Sequence, residues 1–158
     1  MRVTLRSYEP QDFETLYKID QVCYLPDIAY SREDFRTYMR FPGADCVVAE
    51  ARGRIVGFCL TANKGAQGYI ITIDVLEEFR RHGAGSALVS EVERRLTTLG
   101  VRRVRLETAT DNESAIAFWQ KHGYRKRAVR KGYYPGGRDA YAMSKTMEPP
   151  AAKSKERP

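Results

Sequence analysis

Short apolar stretches bounded by turn residues predict seven strands along the chain. The first alternates apolar and polar residues from Arg2 to Tyr8. In the fourth, over residues 69–75, β-branched residues occupy both sides, as expected of a central strand. One side of that strand carries Tyr69, Ile71, Ile73 and Val75. The other strands are predicted over residues 44–51, 55–63, 101–107, 124–131 and 139–147.

Apolar residues at helical spacing predict four helices between these strands. The first opens at Pro10 and ends before the Leu25-Pro26-Asp27 break, and the second follows a capping-box-like start at Ser31. The third runs from near Ser86 to Gly100, and the fourth from Ala115 to His122. The order β-α-α-β-β-β-α-β-α-β-β predicts an α/β fold of the α+β mixed-sheet type, with helices on both faces.

A basic, glycine-rich loop, R-R-H-G-A-G-S, follows the fourth strand at residues 80–86. Glycine lets the backbone come close to a ligand, and the free amides of a helix N-terminus attract anions. The helix dipole adds about half a positive charge there, so the loop is predicted to hold phosphate groups. The G-K-[ST] ending of a P-loop and the G-x-G-x-x-G pattern are both missing. The spacing is R-x-x-G-x-G, at Arg80, Gly83 and Gly85.

Length and composition are typical of one soluble globular domain, with 158 residues, 42% hydrophobic and 30% charged. We place this domain at residues 1–147 and predict a disordered tail over 148–158, where no apolar pattern continues. We expect no membrane span and no signal peptide. Cys23, Cys46 and Cys59 are far apart and odd in number, so we expect no disulfide, no metal and a cytoplasmic location.

The formal net charge is +7, and much of it is local. No carboxylate lies between Glu113 and Asp139, whereas seven basic residues do: Lys121, Arg125, Lys126, Arg127, Arg130, Lys131 and Arg138. This basic stretch, residues 121–138, is either a solvated face or a surface for an anionic cofactor or a ribosomal partner. Because the stretch matches no nucleic-acid-binding module, we expect no specific nucleic acid.

The strand, the R-x-x-G-x-G loop and the following helix together resemble the acyl-CoA pyrophosphate site of the GNAT family of N-acetyltransferases. The element order matches that family from Arg2 to about Met147. Residues 106–124, L-E-T-A-T-D-N-E-S-A-I-A-F-W-Q-K-H-G-Y, resemble a segment of bacterial ribosomal-protein alanine acetyltransferases. Residues 132–143, G-Y-Y-P-G-G-R-D-A-Y-A-M, resemble the peptide-binding hairpin of N-terminal acetyltransferases, and Y-I-I-T-I-D-V-L at 69–76 resembles a strand of one eukaryotic catalytic subunit.

The resemblance implies acetyl-CoA as cosubstrate and assigns its contacts. The backbone of Ile73, Asp74 and Val75 would bind the pantetheine arm. The pyrophosphate would lie on the loop formed by Arg80, Arg81, His82, Gly83, Ala84, Gly85 and Ser86. Asn112 matches a family asparagine that contacts the cofactor, and it also suits the N-cap of a helix; both roles can hold together.

The resemblance also implies catalytic and acceptor-binding residues. Glu107 lies where the bacterial alanine acetyltransferases have their general base, and Tyr69 matches a tyrosine that assists catalysis. The alternative for Glu107 is a surface ion pair with Arg103 or Arg105. The residues expected to bind the acceptor are Tyr30, Ile71, Tyr133 and Tyr134.

One position departs from the family pattern. The bacterial relatives have a tyrosine as general acid on the short helix, and this chain has Trp119 there. An indole cannot donate its proton to a thiolate as a phenol can. The acid is therefore Tyr69, Tyr133, Tyr134 or solvent, and Trp119 is expected to pack against the core or the cofactor. We also expect His122 to be a cation at the C-terminus of its helix.

These features predict an acetyl-CoA-dependent N-acetyltransferase that acts on the N-terminal α-amine of a protein or peptide, without a metal, by direct attack in a ternary complex. Three alternatives remain open. The acceptor could be a small amine such as a polyamine, amino acid or antibiotic. The chain could be a non-catalytic acyl-CoA-binding module, which Trp119 favours. It could also be a nucleic-acid-associated protein that uses the basic stretch.

Overall fold

The computed structural model of the protein describes residues 2–149. Two 3-10 turns, Pro10–Asp12 and Glu77–Phe79, join the predicted elements. The predicted tail lies outside the described residues from position 150 onward. The elements are β1 (Thr4–Ser7), α1 (Phe13–Cys23), α2 (Arg32–Met39), β2 (Asp45–Ala51), β3 (Arg54–Lys64), β4 (Gln67–Val75), α3 (Ala84–Thr98), β5 (Arg103–Ala109), α4 (Glu113–Lys121), β6 (Arg125–Arg130) and β7 (Ala140–Thr146).

The strands form one seven-stranded sheet in the order β1-β2-β3-β4-β5-β7-β6. Neighbouring strands are antiparallel except β4 and β5, which are parallel. The last strand in sequence, β7, lies between β5 and β6, so the hairpin of β6 and β7 closes that side of the sheet. The mixed sheet predicted from the sequence is therefore confirmed, with all seven strands and four helices in the predicted order.

Two apolar cores lie on opposite faces of the sheet, as predicted. On one face α3 packs Leu88, Val92 and Leu96 against the sheet, and Trp119 of α4 belongs to the same core. On the other face α1 and α2 pack against the first four strands; their core residues are Leu16, Ile19, Phe35, Phe58 and Leu60. The core on the α1/α2 face contains no described residue of β5, β7 or β6, so this face of those three strands is left more open.

The parallel pair β4 and β5 separates after a short paired segment. It is in register only at Gln67↔Arg103, Gly68↔Val104 and Tyr69↔Arg105. From Ile70 to Val75, β4 keeps its antiparallel partner β3 but has no described partner on the β5 side. This leaves a wedge-shaped opening in the middle of the sheet, and the hydrophobic pattern of the sequence did not predict it.

A pair of buried carboxyl groups joins α1 to β4. Asp20 and Asp74 are both almost completely buried and lie within hydrogen-bonding reach of each other. Asp20 Oδ2 accepts a hydrogen bond from the Tyr30 amide at 2.9 Å, and Asp74 Oδ1 accepts one from Thr72 Oγ1 at 2.6 Å. Burial raises the pKa of Asp74 well above the ordinary value of an aspartate, and the neighbouring Asp20 raises it further. A proton on Asp74 that is donated to Asp20 satisfies both groups.

We predict that this shared proton makes stability fall with rising pH. Because the folded pKa of Asp74 exceeds its unfolded value, stability is fully present below the unfolded pKa and decreases above it, by at most about 1.4 kcal/mol per pH unit for one proton. Asp74→Asn keeps the shape and can donate to Asp20 without a titrating proton. The Tm of this variant minus that of the wild type, measured by thermal unfolding, should increase as the pH is raised from about 5 to about 8.

Asp12→Asn is the matched control for this prediction. Arg6 donates hydrogen bonds to the Asp12 carboxylate and lowers its pKa, so Asp12 contributes stability above its unfolded pKa, and this contribution is lost as the pH falls. This variant should have a lower Tm than the wild type throughout the same pH range, and its Tm should still fall with rising pH as that of the wild type does. Parallel profiles for Asp74→Asn and the wild type would show that the carboxyl pair shares no proton.

Candidate active site

The backbone of β4 presents its polar groups to the opening between β4 and β5. The carbonyl groups of Ile71, Ile73 and Val75 point away from β3 and accept side-chain hydrogen bonds. Their donors are the hydroxyl of Tyr30 at 3.3 Å, the hydroxyl of Tyr24 at 2.7 Å and Nε of Arg80 at 2.8 Å. The amides of these β4 residues point to the same side. They are therefore in position to bind an extended ligand as a neighbouring strand would.

Asp74 differs from its two neighbours on β4. Its carbonyl oxygen points toward Gly57 of β3, at 2.5 Å from the position that a Cβ would take there. Its carboxyl group is buried against Asp20. Neither group faces the opening, which argues against the predicted contact of Asp74 with the cofactor. Ile73 and Val75 keep their predicted position.

The glycine-rich loop has the backbone of an anion site at the N-terminus of α3. Arg81 and Gly83 have φ angles of 65° and 83°, with His82 between them outside the positive-φ region. Such alternation turns successive amide groups toward one concave surface. Gly83 is the N-cap, and no side chain caps the helix. The first-turn amides, from Ala84 onward, are thus available to a phosphate.

Two residues of this loop face α4 and not only a ligand. A Cβ on Gly85 would lie 3.0 Å from Phe118, so the glycine also allows α3 to pack closely against α4. The hydroxyl of Ser86 lies 3.0 Å from Nε2 of His122. Burial lowers the pKa of His122, which disfavours the expected helix-terminal cation. Arg81 and His82, which precede the N-cap Gly83, are exposed to solvent.

Asn112 is the N-cap of α4, as one of its two predicted roles requires. Its Oδ1 accepts from the amide of Ala115 at 3.2 Å and from the hydroxyl of Ser114 at the same distance. The predicted contact with the cofactor stays a prediction.

Tyr69 and Glu107 meet where β4 and β5 begin to separate. The hydroxyl of Tyr69 donates to Oε2 of Glu107 and lies 3.3 Å from the hydroxyl of Tyr133. Burial, reinforced by the hydrogen bond to Glu107, raises the pKa of Tyr69 far above its ordinary value. Tyr69 is thus a neutral phenol at physiological pH, which can donate a proton but does not act as a phenolate base.

Two arginines flank this tyrosine–glutamate pair. Only 6% of the Glu107 side chain is exposed, and its Oε1 lies 3.4 Å from Nε of Arg130. The alternative for Glu107, an ion pair with Arg103 or Arg105, is not formed among the described residues, since its ionic partner is Arg130. Arg105 instead stacks over the ring of Tyr69, with its guanidinium carbon 5.6 Å from the ring centre.

Two aromatic walls border the pair. On one side, Tyr30 packs against Tyr38 with ring centres 5.0 Å apart. On the other, Tyr133 packs against Tyr134 at the same distance. Burial raises the pKa of Tyr30 and of Tyr134, so both hydroxyls stay protonated. The structure brings the predicted residues Tyr30, Ile71, Tyr133 and Tyr134 to one region around Tyr69 and Glu107.

An ion-pair triad holds the loops of both walls together. Arg138, in the loop between β6 and β7, pairs with Asp27, in the loop between α1 and α2, at 2.9 Å. The same arginine pairs with Asp111, which precedes α4. Gly136 fits only because it lacks a Cβ, since a Cβ there would lie 2.7 Å from Asp27. These ion pairs therefore link the two tyrosine walls, and the space between the walls is called the groove below.

Trp119 is a core residue. It is 4% exposed and packs edge-on against Phe118 and Tyr124, with ring centres 5.1 Å apart in each case. Four residues of the site were missed by sequence reasoning: Tyr24, Tyr38, Arg105 and Arg130. Tyr24 and Tyr38 resemble any other helix-spaced aromatic. Arg105 reaches Tyr69 through the parallel register of β4 and β5, and Arg130 reaches Glu107 through the placement of β7 between β5 and β6.

The model of the acetyltransferase (GNAT) family matches residues 13–124. The chain belongs to this family. It is therefore an acetyltransferase, and acetyl-CoA is its cosubstrate. Ile73, Val75 and the N-terminus of α3 are the groups that would hold it, and the thioester supplies the acetyl group. Among the described residues, no cluster of His, Cys, Asp and Glu could hold a metal ion, and none of the helices has the length and apolar character needed to cross a membrane.

Proteins named for N-terminal acetylation are similar over most of the chain. An N-alpha-acetyltransferase of Saccharolobus solfataricus is 27% identical over 157 residues, covering 91% of this chain and 93% of that protein. The [ribosomal protein bS18]-alanine N-acetyltransferase of Escherichia coli K12 is 28% identical over 156 residues, covering 89% and 95%. The crystal structure of Ard1 from Thermoplasma volcanium superposes with a TM-score of 0.86 at 29% identity, covering 94% of this chain and 99% of that one.

Gly83→Ala tests the anion site. The φ angle of 83° is strained for any residue with a Cβ, at a cost of about 1–2 kcal/mol. No heavy atom lies within 4 Å of the added methyl group, so the change acts on the loop conformation alone. We expect KM for acetyl-CoA to rise about tenfold with little change in kcat, because the lost binding is uniform. Gly53→Ala, at φ 74° in the distant turn between β2 and β3, is the control. An unchanged KM would show that this loop does not bind the cosubstrate.

Proposed function

We propose that the protein acetylates the N-terminal α-amine of a protein or peptide. The observation that carries this proposal is the Tyr69–Glu107 pair, located at the opening of the sheet between two tyrosine walls. Tyrosine rings grip a chain end by apolar contact, and their hydroxyls can bind its backbone. The names of the relatives from Saccharolobus solfataricus and Escherichia coli agree with this acceptor class.

The chemistry of Glu107 favours an α-amine over lysine. An α-amino group with a pKa of about 7.7–8.0 is already partly neutral at pH 7, whereas lysine at about 10.4 is almost entirely protonated. A carboxylate is a weak base, so it suits an acceptor of which an appreciable fraction is already neutral.

Reaction occurs by direct attack in a ternary complex. The neutral amine forms the new C–N bond with the thioester carbonyl, and the C–S bond breaks. Backbone amides of β4 near Ile73 and Val75 hold the carbonyl oxygen. Glu107 accepts the proton that the amine loses, directly or through a water. The same proton count reaches the leaving thiolate through the Tyr69 hydroxyl, which gives its proton to the sulfur as it receives one from Glu107, so that both residues end in their starting forms.

The charges of the groove argue against a polyamine acceptor. A polycation needs free carboxylates, and the loops near Tyr30 and Tyr134 offer Asp27 and Asp139. Asp27 is engaged by Arg138, and Asp139 accepts from the amide of Gly132. Arg105 and Arg130, by contrast, place positive charge beside the catalytic pair. The burial of Trp119 in the core also removes the one sequence feature that favoured a non-catalytic module.

The acceptor is a protein of the cytoplasm in this proposal. Cys23, Cys46 and Cys59 are free thiols, which agrees with a reducing compartment. The relative from Escherichia coli is named for a ribosomal protein, and association with the ribosome through residues of the basic stretch 121–138 remains a proposal for this chain.

Glu107→Gln and Tyr69→Phe test the proton-handling roles. With a peptide acceptor that has a free N-terminus, each variant should lose about a hundredfold or more in kcat/KM, since proton transfer by a positioned group contributes about 10²–10⁴-fold. KM for acetyl-CoA should stay unchanged. Glu113→Gln and Tyr17→Phe make the same chemical changes at exposed or remote positions and serve as controls.

Two results would count against the proposal. Full kcat/KM in both Glu107→Gln and Tyr69→Phe would remove their proposed roles while leaving the acceptor class standing. Turnover of spermidine or free lysine, with none of a panel of peptides that vary in their first residue, would exclude the acceptor class itself.

A further inference from the structure

An arginine cluster covers the open face of the sheet beside the groove. It consists of Arg103 and Arg105 on β5 and Arg125 and Arg127 on β6, grouped around Ser144 of the intervening strand β7. Arg105 and Arg125 are the two cross-strand partners of Ser144. Arg103 Nη2 and Arg127 Nε both donate to the hydroxyl of Ser144, at 3.2 Å and 2.9 Å. All four side chains therefore lie on the same face.

The cluster carries positive charge that the described chain does not neutralise. β5, β6 and β7 contain one carboxylate among them, Glu107, and this group already faces Arg130. Within residues 2–149, no ion pair shorter than 4.0 Å involves any of the four arginines. All four are exposed, whereas Ser144 beneath them is 2% exposed. The buried hydroxyl fixes two guanidinium groups in place, which prepares the surface for an anion.

This surface is not the basic stretch that the sequence pattern indicated. Lys126 of that stretch lies over the ring of Tyr141, which packs against the core on the α3 face. Arg138 forms ion pairs with Asp27 and Asp111. The cluster instead combines part of β6 with two arginines of β5, which are distant in sequence. Only the strand order β5-β7-β6 brings them together.

The arginine cluster is continuous with the catalytic pair. Arg105 is the residue that connects them, because it is a member of the cluster and its guanidinium group stacks over the ring of Tyr69. Glu107 and Arg105 are two residues apart on β5, and Arg103 is two further, so the cluster extends about 13 Å from Glu107 at about 3.3 Å per residue. An acceptor chain whose amine lies at Glu107 would reach it with roughly its third to fifth residues.

We propose that the arginine cluster binds acidic side chains of the acceptor just beyond its first residue, so that the enzyme selects proteins with acidic N-terminal segments. This inference rests on the proposed function. Guanidinium groups match carboxylates with paired hydrogen bonds, and the cluster leads directly into the groove where the amine must lie. An RNA bound to the same face would use the charge but not that continuity, and the exposed side chains of the cluster include no aromatic on which bases could stack.

The test measures acetyl transfer to three peptides with the same first two residues. Residues three to six are acidic in the first peptide, uncharged in the second and basic in the third. We expect kcat/KM in the order acidic, uncharged, basic, with about a tenfold step between the first two, carried by KM. Raising the ionic strength from about 0.05 M to about 0.5 M should shrink that step, since exposed charges are screened.

Arg103→Gln combined with Arg125→Gln should abolish the preference for the acidic peptide while leaving kcat/KM for the uncharged peptide unchanged. Neither residue contacts Tyr69 or Glu107 in the structure. The matched control is Lys121→Gln combined with Lys126→Gln, which removes the same charge from α4 and from the opposite face of β6. This control should keep the preference.

The outcomes distinguish a wrong proposed function from a wrong role of the arginine cluster. If no peptide is acetylated, the proposed function is wrong and the inference falls with it. If all three peptides are acetylated equally, or the control pair abolishes the preference as fully as the cluster pair, the inference alone is wrong. Binding of a short RNA that the cluster pair abolishes, with no preference among the peptides, would reassign the surface to nucleic acid.

Discussion

The separation of β4 from β5 after Tyr69 is the constraint on which the site depends. A central strand normally satisfies its backbone on both sides, and an unsatisfied buried amide or carbonyl is costly. Here the C-terminal part of β4, from Ile70 to Val75, has a described partner strand on one side only. Its carbonyls recruit Tyr24, Tyr30 and Arg80 as donors, and its amides remain for the cosubstrate. The elements around the opening, namely α1, the following loop and the start of α3, are thereby tied to one strand.

The same strand also carries the buried carboxyl pair, which links the cosubstrate side of the site to the acceptor side. Asp74 points away from the opening toward Asp20, and Asp20 holds the amide of Tyr30. Two aspartates buried together are tolerable only when they share a proton. The position of the tyrosine wall therefore depends on the protonation of a group that touches neither substrate. The family resemblance assigned Asp74 to the cofactor together with Ile73 and Val75, whereas its carboxyl group is buried against Asp20.

What the sequence predicts well is local, and what it misses depends on register. Seven strands, four helices and the phosphate loop follow from turn residues, apolar spacing and glycines next to a helix start. Tyr69 and Glu107 were indicated by family resemblance, but their contact requires the parallel register Tyr69↔Arg105. Glu107 was predicted to be a general base, and the alternative was an ion pair along its own strand, because sequence spacing shows only near neighbours. Its partner Arg130 is two strands away and reaches it through the placement of β7 between β5 and β6.

That placement of β7 also decides the electrostatics of the acceptor side. A basic run in a sequence suggests one charged surface, but alternation along β6 and the bulge near Lys126 divide its side chains between two faces. Lys126 lies over the ring of Tyr141 on one face, and Arg138 forms a structural ion pair with Asp27. The other face gains two arginines from β5 and lies beside Glu107, the proposed general base. Acidic residues of an acceptor can therefore pair with the arginine cluster, while Glu107 keeps Arg130 as its own partner.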